Sequence, residues 1–225
     1  MNKQTLKNFA AAGLLSAAFL IFTALVQCVD VRPIGPNSSL VGFAAVNGWF
    51  HALTGVHWTL YTITDWLGLV SIGIAFYFGV MGLVQLIWRR SLRKVDRSIL
   101  ILGGFYLAVI AAYLFFETHA VNYRPVLIDN FLEASYPSST TVLVLCVHVT
   151  AMMQLRDRMR RGTARTLVLW LLGAFTVLMV LARLISGVHW LTDIIGAVLL
   201  SAGCVAIYVY AVKRHDAKEN MHGIS

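Results

Sequence analysis

Six stretches of this chain carry no Asp, Glu, Lys or Arg over a length that crosses a bilayer: residues 8–29, 66–88, 98–116, 137–155, 166–182 and 194–212. Each is about 17–23 residues long, and at 1.5 Å per helical residue that suffices for a hydrocarbon core. Inside that core each backbone polar group must be satisfied within the protein, so the stretches predict six transmembrane helices in one all-α polytopic domain spanning residues 1–225. A hydrophobic fraction of 59% against 12% charged residues excludes an ordinary soluble domain. The net charge of +8 does not point to nucleic acid. The basic residues flank the spans, as in the loops Arg89, Arg90, Arg93, Lys94, Arg97 and Arg156, Arg158, Arg160, Arg161, Arg165. They read as topogenic, lipid-facing clusters.

The positive-inside bias assigns those loops and both termini to the cytoplasm of a cell-membrane protein. Of the eighteen Lys and Arg residues, only Arg32, Arg124 and Arg183 then fall on the outer face. A cation placed against the bias suggests an anionic ligand there. Residues 33–62 are uncharged but broken by Pro33, Gly35, Pro36, Asn37 and Ser38, and interrupted by Asn47 and His51. They predict a short amphipathic helix in the outer interface, acting as a lid or a packed loop cap, with Trp49, Phe50, Trp58 and Tyr61 at interfacial depth. Lys3 and Lys7 precede the first apolar run, as in a signal peptide, but no A-x-A pattern follows, so the run reads as an uncleaved first helix. Cys28, Cys146 and Cys204 have no paired spacing and read as small buried hydrophobes, with no metal or disulfide framework.

The pattern that carries chemistry is Arg183-x5-His189-x3-Asp193, running from the outer end of the fifth span into the sixth. A helix starting near His189 would put His189 and Asp193 on one face. Asp193 would accept from one imidazole nitrogen and leave the other free to attack. Arg183 would offer a fork of donors to phosphoryl oxygens. The bland reading of the same residues is an interfacial His beside a helix-capping Asp. Arg124-Pro125 follows the third span, and Tyr136-Pro137-Ser138-Ser139-Thr140-Thr141 opens the fourth. Pro137 suits a first helical turn, Ser138 suits a cap, and the N–H groups of a helix start attract anions. Neither fragment means much alone. By topology all three reach the same outer face.

In this order and spacing the fragments resemble the type 2 phosphatidic acid phosphatases, the PAP2 superfamily, whose pattern is K-x6-RP, PSGH and SR-x5-H-x3-D. The resemblance covers about residues 117–197 and implies a six-helix core shared with vanadium haloperoxidases. It implies that His189 is the nucleophile that forms a phosphohistidine and Asp193 its orienting partner. Arg124, Arg183, Ser138, Ser139 and Thr140 would form the phosphate cradle, with no cofactor and no metal. Three positions depart from the pattern. The Lys falls on Glu117, the His of PSGH falls on Thr140, and the Ser before the last Arg is Ala182. In the family that His protonates the leaving group, so its loss asks for a substitute acid or cation, with His119, Asp129 and Glu133 as candidates. His148 lies two helical turns past Thr140 and reads as a packing residue.

The expected activity is hydrolysis or transfer of phosphate from a phosphorylated membrane lipid at the outer leaflet. Without the acid, a weakly basic leaving group is favoured, hence a polyprenyl substrate such as undecaprenyl diphosphate, or another lipid diphosphate, over a phosphatidic acid. The alternative is a weakened or inactive relative that binds or transports phosphorylated lipids.

Overall fold

A computed structural model describes residues 3–222, with side chains described from Thr5 to His215. Seven α-helices follow in order: α1 Lys3–Cys28, α2 Ala44–Thr54, α3 Trp58–Arg89, α4 Arg97–Thr118, α5 Ser139–Arg158, α6 Thr163–Ile185 and α7 Leu191–His222. All but α2 are long and apolar enough to cross a membrane, which gives six candidate spans among the described residues. The chain is a multi-pass membrane protein. Mean hydropathy is 2.1–2.4 over five spans but only 1.2 over α5. The difference follows from position. Half of the apolar window of α5 is buried against other helices, against 17–33% for the rest. A helix that touches protein on all sides tolerates Ser, Thr, His and Gln where their hydrogen bonds close. His148 illustrates this. It is fully buried between Ser71 Oγ and Thr176 Oγ1, each 2.9 Å from a ring nitrogen.

Around α5 stand α3, α4, α6 and α7, while α1 lies along α7. Phe78, Leu102, Phe105, Cys146 and Tyr208 belong to the inner apolar cluster of this arrangement. At the end of the bundle where α4 begins and α5 ends, Arg158 Nη2 pairs with Asp96 Oδ2 at 2.7 Å, and Gln154 Nε2 donates to the Tyr208 hydroxyl at 2.7 Å. Burial pushes the Asp96 carboxyl up, but the hydrogen bond and charge of Arg158 outweigh it, and the net shift is downward.

Two expected boundaries differ. The second span begins at Trp58 and not at residue 66, because Asp65 is the charge that ended the uncharged stretch. It sits in the N-terminal part of α3 with its side chain 58% exposed and 3.6 Å from Arg183 Nη2. The interfacial segment therefore ends before Trp58, and its helix is α2, with Asn47 fully buried. Asn47 Oδ1 accepts from Thr192 N (3.2 Å), and Asn47 Nδ2 donates to Thr192 Oγ1 (2.9 Å) and Gly42 O (2.7 Å). The residue that interrupts the apolar face thus satisfies an N–H in the first turn of α7.

Candidate active site

One set of ends of α3, α4, α5, α6 and α7 meets around His189, which is 3% exposed. His189 lies in the turn between α6 and α7 and not on α7 itself. Gly187 makes this turn possible. Its φ is +70°, and its Cα faces the backbone of Gly55 and Val56, where a Cβ would collide. Asp193 is the third residue of α7, and Oδ2 accepts from Trp190 N at 2.8 Å. It does cap the helix, as the bland reading had it, and it also faces the imidazole. Nδ1 of His189 and Oδ2 of Asp193 are 3.7 Å apart, beyond a direct hydrogen bond. Ser135 stands between them, hydrogen-bonded through Oγ to Asp193 Oδ2 and 3.4 Å from His189 Nδ1.

Arg124, 8% exposed, approaches from the α4–α5 connection with Nη1 3.5 Å from His189 Nε2. Its Nε is 3.0 Å from Glu133 Oε2, although off the hydrogen-bonding direction. Arg183, 2% exposed, comes from the last turn of α6. Its Nη1 donates to Thr64 Oγ1 (3.2 Å) and to Tyr61 O (3.4 Å), and Nη2 is 3.6 Å from Asp65 Oδ1. Nε of Arg183 is buried without a hydrogen-bond partner. Both guanidinium groups lie over the Tyr61 ring, at 4.8 Å for Arg183 and 6.0 Å for Arg124. One aromatic face thus seats two like charges side by side. Burial, with Arg124 and Arg183 adding to it, holds the His189 pKa well below the usual imidazole value.

A cavity of about 490 Å³ opens from His189. Arg124, Ser135, Glu117, Ser139 and Thr140 line its polar end, and Ile72, Ala75, Val109, Ile110 and Leu143 line its apolar body between α3, α4 and α5. Ser139 and Thr140 are the first residues of α5, whose N–H groups have no intrahelical acceptor. A second cavity of about 300 Å³, also between α3 and α4, shares Ala75 with the first and continues to Leu86 and Leu92.

Besides Asp193, five expected site residues do not line this cavity. Ser138 is fully buried, makes no capping bond with its side chain, accepts from Thr141 Oγ1 and donates its N–H to Asp193 O. Its place packs the start of α5 against α7. Arg183 stands one layer behind His189, held there by Tyr61, Thr64 and Asp65. His119 ends α4 with its ring stacked on Phe115 at 4.7 Å and Nδ1 bonded to Thr118 Oγ1, so it is turned onto its own helix. Asp129 occupies a tight turn with φ 48°, between Ile128 and Phe131. Glu133 touches the site only through Arg124.

Sequence reasoning passed over Ser135, Asn122 and Tyr61. The usable signal for Ser135 was its position two residues before Pro137, at a helix start already read as functional. Asn122 Nδ2 reaches Asp193 Oδ1 at 3.4 Å, and its side-chain oxygen accepts from Gly42 N at 3.3 Å.

A family profile of the PAP2 superfamily matches residues 113–217. Over these residues the chain is similar to the PAP2 superfamily. The match begins at Tyr113 and takes in Glu117, Arg124, Thr140, Arg183, His189 and Asp193. Among solved structures, the chain is similar to one described as the first transmembrane PAP2 type phosphatidylglycerolphosphate phosphatase from Bacillus subtilis, at 20% identity and a TM-score of 0.51. That likeness covers 92% of this chain and 96% of the other, so the fold of the PAP2 membrane phosphatase extends over nearly the whole chain, including the helices before residue 113. No curated protein sequence matches the chain.

Proposed function

We propose that this protein is a lipid phosphatase or phosphotransferase that acts at the outer leaflet through a phosphohistidine on His189, with a polyprenyl or other lipid diphosphate as preferred substrate. One observation carries the reading. A buried imidazole, whose neutral form is favoured by burial and two nearby arginines, and Arg124 share the polar end of a cavity whose body is apolar and runs between membrane helices. A phosphorylated lipid fits that division, with phosphate against Arg124 and the first turn of α5, and its chain between α3 and α4. The second cavity extends the same seam toward the cytoplasmic ends of those helices. From Ile72 to Leu86 on α3 is 14 residues, about 21 Å at 1.5 Å per residue. A long polyprenyl chain uses that length.

In the first step the Nε2 lone pair attacks the terminal phosphorus, an N–P bond forms, and the bond from phosphorus to the bridging oxygen breaks. The lipid monophosphate leaves with that electron pair. In the second step the oxygen of water, or of an acceptor lipid hydroxyl, attacks the same phosphorus, and the N–P bond breaks. Phosphate or a phosphorylated acceptor is released, and the attacking oxygen gives its proton to solvent. The leaving monophosphate has a second pKa of about 6 and departs without an acid, whereas an alkoxide needs one. Thr140 supplies none.

A second reading keeps binding without turnover. Thr140 and Glu117 at the cavity favour it, since neither a proton donor nor a third cation is present at those positions. The experiment is a panel of lipid mono- and diphosphates, ³²P-labelled at the terminal phosphate, incubated with purified protein and with His189→Ala. The expected result is acid-labile label on the wild type only, with diphosphates turned over about 10²–10⁴-fold faster than monophosphates. Equal turnover by wild type and His189→Ala sinks the mechanism. Binding without release or labelling establishes the second reading.

A further inference from the structure

We infer that Ser135 is a positioning residue that relays the hold of Asp193 on His189 through its hydroxyl, so that the site works as a His189–Ser135–Asp193 chain. The inference rests on His189 being the nucleophile. Its geometry stands apart from that reading.

The hydrogen-bond directions admit one arrangement. A guanidinium only donates, so Arg124 Nη1 at 3.5 Å requires a lone pair on His189 Nε2. A neutral imidazole with its lone pair there carries its proton on Nδ1. The acceptors in reach of Nδ1 belong to Ser135, its Oγ at 3.4 Å and its backbone carbonyl, whereas Asp193 Oδ2 is 3.7 Å away. The single Ser135 proton is then free to go to Asp193 Oδ2, with which Oγ is hydrogen-bonded. The reverse arrangement, with Ser135 donating to Nδ1, sets an N–H of Arg124 against a protonated Nε2 and leaves Asp193 facing a hydroxyl lone pair. Both contacts would be repulsive.

The chain is held on all sides. Ser135 is 3% exposed, and its N–H donates to Asn122 O at 2.9 Å. Asp193 also accepts from Trp190 N and Asn122 Nδ2, so its carboxylate is fixed by three donors from separate segments. The result is a nucleophile whose attacking nitrogen bears the lone pair before substrate arrives. Arg124, which covers that nitrogen, is also the group a phosphate would draw away.

Two measurements test the relay. In the full-length protein, ¹⁵N-histidine NMR of the His189 resonance, assigned by its loss in His189→Ala, should report the Nδ1–H tautomer. In kinetics on a lipid diphosphate, Ser135→Ala should lower kcat about 10²-fold with KM changed less than about threefold, since orientation and not binding is lost. Ser135→Thr, which keeps the hydroxyl, should recover most of that loss. An Nε2–H tautomer in the unmodified protein overturns the inference, whether or not any variant folds. So does a Ser135→Ala protein with wild-type kcat while His189→Ala is inactive. If His189→Ala is itself fully active, the phosphohistidine reading fails instead, and the tautomer measurement still decides the relay.

Discussion

Gly187→Ala should disable the site from outside the cavity. The residue sits at φ +70°, where a Cβ costs about 1–2 kcal/mol. That Cβ would also press into Gly55 O, and would lie 2.9 Å from Gly55 C and 3.1 Å from Val56 Cα. Carbon contacts want about 3.5–4.0 Å, so the two backbones must part by at least about 0.6 Å, and by more at the oxygen. Neither side is a flexible side chain that yields cheaply. Overpacking of this kind adds about 1–3 kcal/mol, and the hydrogen bond from His57 N to Ser186 O, 2.9 Å long, lies across the gap that must open. The sum is about 2–5 kcal/mol of lost stability, and His189, two residues on, moves with the turn. A displacement near 1 Å at a nucleophile costs about 10²-fold in rate. The assay pairs thermal unfolding of the detergent-solubilised protein with turnover of a lipid diphosphate. Gly73→Ala serves as control, because a Cβ there meets nothing within 4 Å. A Gly187→Ala protein with the melting temperature and rate of the control would refute the argument.

Three further outcomes are expected. Under the proposed mechanism, in which a neutral His189 attacks, the rate should hold below pH 6.5, because the His189 pKa is held well below the usual value; activity should fall only as pH drops through that lowered pKa, and Arg124→Gln should move the acid limb of kcat/KM upward by removing a neighbouring positive charge. Arg183→Lys should cost more than 10-fold in kcat/KM, checked by steady-state kinetics, since an ammonium cannot donate to Thr64 and Tyr61 O and still lie flat over the Tyr61 ring. His148→Leu should leave turnover within about twofold but lower stability by about 1–3 kcal/mol, read from thermal or steric-trap unfolding, because it removes the bonds to Ser71 and Thr176 inside the membrane.

The spans were legible because the cost of charge in hydrocarbon is written directly into composition. Their ends were not, because that cost vanishes at the interface: Asp65 ends an uncharged stretch but not α3. The role of Asn47 was hidden for a related reason. A polar residue in an apolar helix face looks like an interruption until the helix it caps is in place, and Thr192 is far along the chain from it. Arg124, His189 and Asp193 were legible as residue types at a spacing. Ser135 was not, because one hydroxyl near a helix start has many ordinary uses. Only the 3.7 Å gap between His189 and Asp193 gives it a particular one.

Two of the three departures from the family pattern lie on the cavity wall, which they share with the matching Arg124 and His189. Asp193 and Arg183 also match, and both stand behind His189, out of the cavity, within reach of the imidazole's field. Glu117 and Thr140 depart, and both line the cavity. Under the proposed mechanism the residues that would prepare His189 are kept, while the cavity wall has an acid where the family pattern has a cation and a hydroxyl where it has a proton donor. The changes at Glu117 and Thr140 are what a different leaving group would require under the proposed mechanism, whereas the third departure, Ala182, lies outside the cavity. Glu117→Lys with Thr140→His should therefore shift turnover from diphosphates toward monophosphates without altering the His189 tautomer. A tautomer change in that double variant would mean the cavity wall and the residues behind His189 are not separate.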